Sequence, residues 1–291
     1  MGVRKLEGIG YAVLSSATFG LIPLFSIPIM NSGLESSMVI FYRLLLAALM
    51  MGGIGVLQKK SFRVDKKHWL SIFGFGMLYV FTGTVLLISY QFIDSGLATT
   101  LHFLYPIVVT LIMVIFYSER LTFTKIASAL MSVGGVALLC LGSGDDVNVK
   151  GVLIALTTAF SYAFYIILVN SSKASRMDVV IFTFYVLLSG AIVSFILSLF
   201  WGGFQPISGV SSFVNLFLLA LLATVVSNFA LVKAVKMVGS TITSILGSVE
   251  PVTAILVGVL VFGEAFGLRS LAGIILVLLS VYLVIRRGKQ A

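Results

Sequence analysis

Residues 179–232 read VVIFTFYVLLSGAIVSFILSLFWGGFQPISGVSSFVNLFLLALLATVVSNFALV, 54 positions without Asp, Glu, Lys or Arg. A membrane-spanning helix takes about 20 apolar residues, so this run holds two. Trp201-Gly202-Gly203-Phe204-Gln205-Pro206 divides it, because Gly and Pro interrupt helices while Trp favours the membrane interface. The run is continuously apolar and does not alternate, which excludes the strands of a barrel.

Outward from this stretch the same pattern repeats. Charged residues and turn formers cut the chain into ten apolar segments, at about 8–29, 36–57, 69–90, 95–117, 122–141, 151–170, 179–200, 212–235, 240–262 and 268–285. The expected fold is an all-α membrane protein with ten transmembrane helices. Of 291 residues, 59% are hydrophobic and 10% charged, against about a quarter charged in a soluble domain. That composition cannot clothe a water-facing surface, so a soluble enzyme, a secreted module and a disordered chain are all excluded. The net charge of +9 does not point to nucleic acid, since the basic residues flank apolar runs without interleaved aromatics. Residues 8–34 carry no charge and are too long for a cleavable signal core, so they read as a retained first helix. Cys140 lies alone in an apolar run and reads as inert packing.

The 19 Lys and Arg divide unequally across the ten segments. One side collects Arg4, Lys5, Lys59, Lys60, Arg63, Lys66, Lys67, Arg120, Lys125, Lys173, Arg176, Lys233, Lys236, Arg286, Arg287 and Lys289. The other side has only Lys150 and Arg269, and Arg43 falls inside a span. The positive-inside rule places both termini in the cytoplasm, of a bacterial inner membrane on this reading.

The two halves repeat each other. A shift of 145 carries Pro106 onto Pro251, Glu119 onto Glu264, Ala127 onto Ala272 and Leu138 onto Leu283. A shift of 143 carries Gly8 onto Gly151, Ala12 onto Ala155 and Phe41-Tyr42 onto Phe184-Tyr185. The expected units are residues 1–145 and 146–291. Five helices is an odd number, so the second unit enters from the opposite side and the repeat is inverted, a transporter signature.

The pattern 98–101, Pro106, Glu119-Arg120-Leu121, Gly134-Gly135, echoed by 241–244, Pro251, Glu264 and Gly273, resembles the paired EamA domains of the drug/metabolite transporter superfamily. Phe41-Tyr42-Arg43-Leu44 is similar to that family's arginine-bearing second helix. The resemblance covers nearly the whole chain and implies carriage of small solutes, with export as the direction. The second copy departs from the pattern where Val186 replaces the arginine and where Ala265-Phe266 follows the glutamate.

No zinc-protease, nucleophile-elbow or phosphate-loop signature occurs, and two His with one Cys do not make a His/Cys metal site. The chain is expected to be no enzyme and to use no cofactor. Ionisable residues inside spans are costly and mark function by default; Arg43, His102 and Glu250 qualify. Glu250 lies ten residues into its span, about 15 Å of rise and near the midplane. It reads either as a proton or substrate-amine site, or as a structural partner of Arg43 or a tyrosine. Arg43 reads as structural or coupling, while Glu119 and Glu264 read as loop anchors. Gly134, Gly135, Gly258 and Gly273 read as close-packing points.

Symmetry then places a cavity. Tyr79, Thr82, Gly83 and Leu86 share a face whose counterparts are Thr224, Ser227, Asn228 and Leu231; His102 and Tyr105 correspond to Gly247 and Glu250. Pro106 and Pro251 free backbone carbonyls at the same depth. The expected substrate-binding residues are Tyr79, Thr82, His102, Tyr105, Tyr162, Ser227, Asn228 and Glu250, closed over by Phe19 and Ser161. One acid among aromatics and hydroxyls suits a small neutral, zwitterionic or cationic metabolite such as an amino acid or amine, and disfavours a phosphorylated one. The expected function is a secondary active transporter, with a passive channel or a membrane scaffold as the alternatives and an intramembrane enzyme less favoured. Partners are the lipid bilayer and a small-molecule substrate, with proton coupling and a homodimer left open and no nucleic acid.

Overall fold

The computed structural model of the chain describes residues 3–89, 92–93, 95–120, 122–140, 148–200, 203–263 and 267–288. Trp201, Gly202 and Glu264 lie outside the described residues, as does the side chain of Cys140. Among the described residues every regular element is helical. In chain order they are α1 (Val3–Phe19), α2 (Ile22–Asn31), α3 (Ser36–Leu57), α4 (Lys66–Ser89), α5 (Ser95–His102), α6 (Tyr105–Tyr117), α7 (Phe123–Cys140), α8 (Val149–Ser171), α9 (Val179–Phe200), α10 (Val210–Ala220), α11 (Ser227–Leu246), α12 (Val249–Phe262) and α13 (Leu268–Gly288). A π turn (Leu221–Val226) joins α10 to α11, and a 3-10 turn (Ala174–Arg176) precedes α9.

Six stretches are long and apolar enough to cross a membrane: Arg4–Asn31, Ser36–Leu57, Lys66–Leu86, Val149–Ser171, Val179–Phe200 and Val210–Leu246. Tyr105–Tyr117, Phe123–Leu138, Val249–Val261 and Leu268–Val284 are shorter apolar helices. Their outer faces carry large apolar side chains in the open, including Leu70, Phe123, Leu260 and Leu268. A soluble protein does not present apolar surface on that scale. This is a multi-pass integral membrane protein.

Several of the apolar segments are not single rods. The first breaks between Phe19 and Ile22, with Pro23 in the first turn of α2. The stretch 95–117 breaks at 103–104, and 240–262 breaks at 247–248. Pro106 and Pro251 sit in the first turns of α6 and α12, where a missing N–H costs no helical bond. The freed carbonyls expected around the prolines are thus a consequence of helix restarts just ahead of them. The 37-residue stretch Val210–Leu246 bends at Gly239, whose φ of 83° is a conformation glycine adopts without a steric penalty.

The sequence repeat transfers onto the helix ends. Shifting α3 by 143 gives the bounds of α9, and shifting the start of α7 by 145 gives the start of α13. Packing follows the same exchange. The most extensive contacts are α3 with α9, α1 with α11 and α7 with α13; in the first and last of these each helix lies against its own counterpart. The α4–α8 contact is matched by α1–α11, and the α6–α8 contact by α1–α12. Gly8 lies so close to Met237 and Val238 that a Cβ would collide, and its counterpart Gly151 lies equally close to their counterparts Phe92 and Ile93. Gly135 is a close-packing point against Val277 and the Gly273 carbonyl, whereas a Cβ at Gly134 would meet only Leu276 at an ordinary 3.6 Å.

Contacts between connections fall into two sets. In one, Lys60 pairs with Asp178 at 2.7 Å, Lys236 donates to the Met177 carbonyl at 2.9 Å and Thr241 donates to Glu119 at 2.7 Å. Glu119 also pairs with Lys125, so it anchors the loop before α7 as expected. In the other set, Gln205 Oε1 accepts from the Glu35 N–H at 2.8 Å and Ser32 bonds Ser212 at 3.0 Å.

Asp178 also caps α9, accepting from the Val180 N–H at 2.9 Å. Burial pushes its carboxyl up, but bonds from Lys60 and the Val180 N–H outweigh that and hold it below the ordinary aspartate range. Asp178→Ala is expected to cost about 1 kcal/mol, mostly as the lost cap, because the half-exposed ion pair itself adds little. Asp178→Asn keeps the cap and costs less. The lowered pKa makes this increment present near neutrality and lost as pH falls through the folded-state value. SDS titration of the purified protein at two pH values checks both the order and the sign.

Candidate functional site

The interior polar groups gather where matched helices of the two halves meet. From α4, the Tyr79 hydroxyl accepts from Asn228 Nδ2 of α11 at 3.3 Å. The other Asn228 proton goes to the Thr224 carbonyl at 2.9 Å. Asn228 is 1% exposed, and its Oδ1 has no hydrogen-bond partner among the described residues. Next to Tyr79 runs an aromatic series through α8 to the α5–α6 break. Tyr79 and Tyr165 are 5.9 Å apart, Tyr165 stacks on Tyr162 at 6.1 Å, and Tyr162 meets Tyr105 edge-on at 4.8 Å. His102 closes the series against Tyr162 at 5.4 Å and Tyr105 at 5.6 Å.

His102 Nδ1 is 3.0 Å from Thr158 Oγ1. The Thr158 hydroxyl spends its single proton on the Ala155 carbonyl at 2.6 Å, so Nδ1 must be the donor to Thr158. In the neutral ring Nε2 is then the acceptor nitrogen.

Glu250 lies in the first turn of α12 and is half-buried. Its electrostatic neighbours come from three other helices: Arg43 of α3, Tyr105 of α6 and Tyr162 of α8. Three ion pairs form among the described residues, and none involves Glu250. The pairing with Arg43 offered as one alternative is therefore absent. Arg43 instead points at the π turn, where Nε donates to Thr224 Oγ1 at 2.6 Å and Nη2 donates to the Ala223 carbonyl at 2.8 Å. A π turn shifts the backbone ladder by one residue and opens a carbonyl to an outside donor.

Tyr79, His102, Tyr105, Tyr162, Asn228, Glu250 and Arg43 are thus brought to one place. Thr82 and Ser161 bond each other and bridge α4 to α8. Ser227 is fully buried and donates back to the Thr224 carbonyl of its own chain turn at 3.2 Å. Neither Thr82 nor Ser227 joins the aromatic series. Pro106 and Pro251 are buried and set the helix restarts. Tyr165, 1% exposed, and Thr158 belong to the cluster but were not among the expected site residues. Tyr165 carried a readable signal, since it follows Tyr162 by three positions on the same helical face. No group of three or more His, Cys, Asp or Glu able to hold a metal occurs among the described residues.

The model of the EamA-like transporter family matches twice, over residues 6–141 and 149–286. The chain belongs to the EamA-like transporter family. It is 27% identical over 251 residues to the uncharacterized transporter YdfC of Bacillus subtilis (strain 168), covering 84% of this chain and 81% of that one. An uncharacterized transporter of Archaeoglobus fulgidus is 26% identical over 230 residues, covering 77% and 78%. A solved crystal structure superposes with a TM-score of 0.83 at 16% identity, covering 99% of this chain and 98% of the other; this likeness establishes the fold alone. The two family matches bracket the two halves of the packing exchange. This EamA protein is a transporter by family.

Proposed function

We propose that this EamA protein is a secondary active exporter of a small organic metabolite such as an amino acid or amine, working by alternating access of two inverted five-helix repeats. One observation carries the reading: the Glu250 carboxylate has no ion-pair partner among the described residues, and its electrostatic neighbours Arg43, Tyr105 and Tyr162 come from both halves. Helix pairing that survives exchange of the halves supports the mechanism, because swapping their conformations would swap the side to which that cluster opens. Ten crossings with both termini in the cytoplasm of a bacterial inner membrane fit the contacts between connections. Lys60–Asp178, Lys236–Met177 and Thr241–Glu119 all join connections assigned inside, while Glu35–Gln205 and Ser32–Ser212 join those assigned outside.

Untargeted metabolomics of cells with and without the protein identifies the solute. Saturable counterflow of that solute in proteoliposomes then tests the mechanism. Flux that rises linearly without saturation would make the protein a passive channel, and no flux at all would leave it a scaffold.

The topology has its own test. In a Cys140→Ser background, cysteines placed at Ser32 and Gly203 are expected to react with an impermeant thiol reagent added outside intact cells. A cysteine at Ser61 is expected to stay unlabelled until the cells are opened. Labelling at Ser61 from outside sinks the ten-crossing arrangement.

A further inference from the structure

A guanidinium and a carboxylate inside one membrane protein attract each other strongly in the low local dielectric. Arg43 and Glu250 interact electrostatically yet form no ion pair. The reason on the structure is mechanical. Two of the guanidinium nitrogens are committed to the π turn between α10 and α11, Nε to Thr224 Oγ1 and Nη2 to the Ala223 carbonyl. Thr224 is itself fixed, donating to the Leu219 carbonyl five residues back at 3.1 Å, and its carbonyl holds Asn228. The acceptor pair is thus rigid, fully buried, and placed on a different helix from Glu250.

The geometry points to a positioning role that the family reading does not assign: we propose that Thr224 and the π turn hold Arg43 off Glu250, so that the Glu250 carboxyl stays unpaired and open to a proton or a cationic group. The device belongs to one half only. At the positions related by the repeat, Val186 stands for Arg43 and Tyr79 for Thr224, and Tyr79 is bonded to Asn228 instead of to a guanidinium. The asymmetry places the one interior acid among the described residues, with its restrained counter-charge, in an otherwise exchangeable frame. Arg43 and Thr224 act through Glu250 and are positioning residues.

The inference rests on the transporter reading for its purpose, but its test needs no substrate. Dicyclohexylcarbodiimide adds to carboxyls that are protonated and in apolar surroundings, and mass spectrometry of the purified full-length protein reads the adduct at Glu250. Wild type is expected to react. Thr224→Val keeps the side-chain shape and removes the Nε acceptor; Arg43 then swings to Glu250, and an adjacent guanidinium favours the ionised carboxylate by about tenfold or more, so labelling should fall by about that factor. Thr224→Ser is expected to label within about twofold of wild type, since it keeps the hydroxyl. Arg43→Gln added to Thr224→Val should restore labelling. A merely structural role for Thr224 would give no such rescue.

Undiminished labelling of Thr224→Val overturns the proposal, and so does an unreactive Glu250 in wild type. Should Thr224→Val not fold, Thr224→Ala is read in its place with the same two outcomes. The transport reading fails separately: if Thr224→Val loses labelling while Glu250→Gln still transports normally, Arg43 is held off as proposed but Glu250 is not part of the transport step.

Discussion

Replacing Glu250 by Gln is expected to abolish flux driven by a pH gradient, by two orders of magnitude or more, and to leave the protein folded and inserted. The carboxylate is the one acidic group in the interior cluster, and the groups facing it are Arg43 from α3, Tyr105 from α6 and Tyr162 from α8. None of these is a carboxyl, so none can take over its role. Because Glu250 makes no ion pair, the neutral amide strands no counter-charge, and Arg43 keeps both of its bonds to the π turn. Folding is therefore spared, in contrast to the large cost of breaking a buried pair. Solute exchange without a gradient is expected to survive in part. Tyr105→Phe is milder, since it removes a hydroxyl but no carboxyl. Proteoliposome flux with and without an imposed pH gradient separates these outcomes. Normal gradient-driven flux in Glu250→Gln would make the carboxyl structural, and a misfolded Glu250→Gln rescued by Arg43→Gln would restore the pairing that the structure lacks.

The same substitution at two glycines of the first apolar segment should act in opposite directions. At Gly20, in the break between α1 and α2, a Cβ would collide with the Glu250 carbonyl oxygen and with Thr253 Cβ, and would lie 3.2 Å from the Ala254 nitrogen. Backbone atoms cannot step aside, so Gly20→Ala must push the break away from the first turn of α12. The cost is expected at the upper end of the ~1–3 kcal/mol typical of overpacking, with flux lost even where folded protein remains, because the turn that moves carries Glu250. At Gly10, exposed on α1, a Cβ would meet nothing within 4 Å. Gly10→Ala is expected to be neutral in flux and to gain up to about 1 kcal/mol from helix propensity. SDS titration and flux measured on the two variants side by side decide the matter; equal behaviour would mean that the break does not seat on α12.

The repeat offsets of 143 and 145 were legible in the sequence and reappear as helix bounds, because apolar periodicity and turn residues survive in both copies. Family membership was likewise legible from Pro106, Pro251 and the residues around them. The interruptions were only partly so. Pro23 announces a helix restart, yet the first segment reads as one rod because no charge or loop composition marks the step at Gly20-Leu21. The π turn has no composition signature at all, since Leu221 to Val226 are ordinary helix-compatible apolar residues with one Thr. For the same reason the partner of Arg43 could not be read: one acceptor is a backbone carbonyl 180 positions away, and any residue supplies that atom. Symmetry matched the faces bearing Tyr79 and Asn228, and these two side chains bond across α4 and α11. Symmetry alone did not show that Thr82 donates to the Leu78 carbonyl and Ser227 to the Thr224 carbonyl, because Ser and Thr hydroxyls readily bond the preceding helical turn.

The packing of one half against the other has a consequence for how the chain comes into being. α3 packs on α9, α7 on α13, α4 on α8 and α1 on α11, so the most extensive contacts join residues 6–141 to residues 149–286. Synthesis delivers the first five apolar segments to the bilayer well before their partners exist. Until then Gly135 and Gly8, shaped to receive another helix, face lipid. Assembly is therefore a late, long-range event of high contact order. The two segments expressed as separate chains should be short-lived individually, yet protect each other from proteolysis when made together.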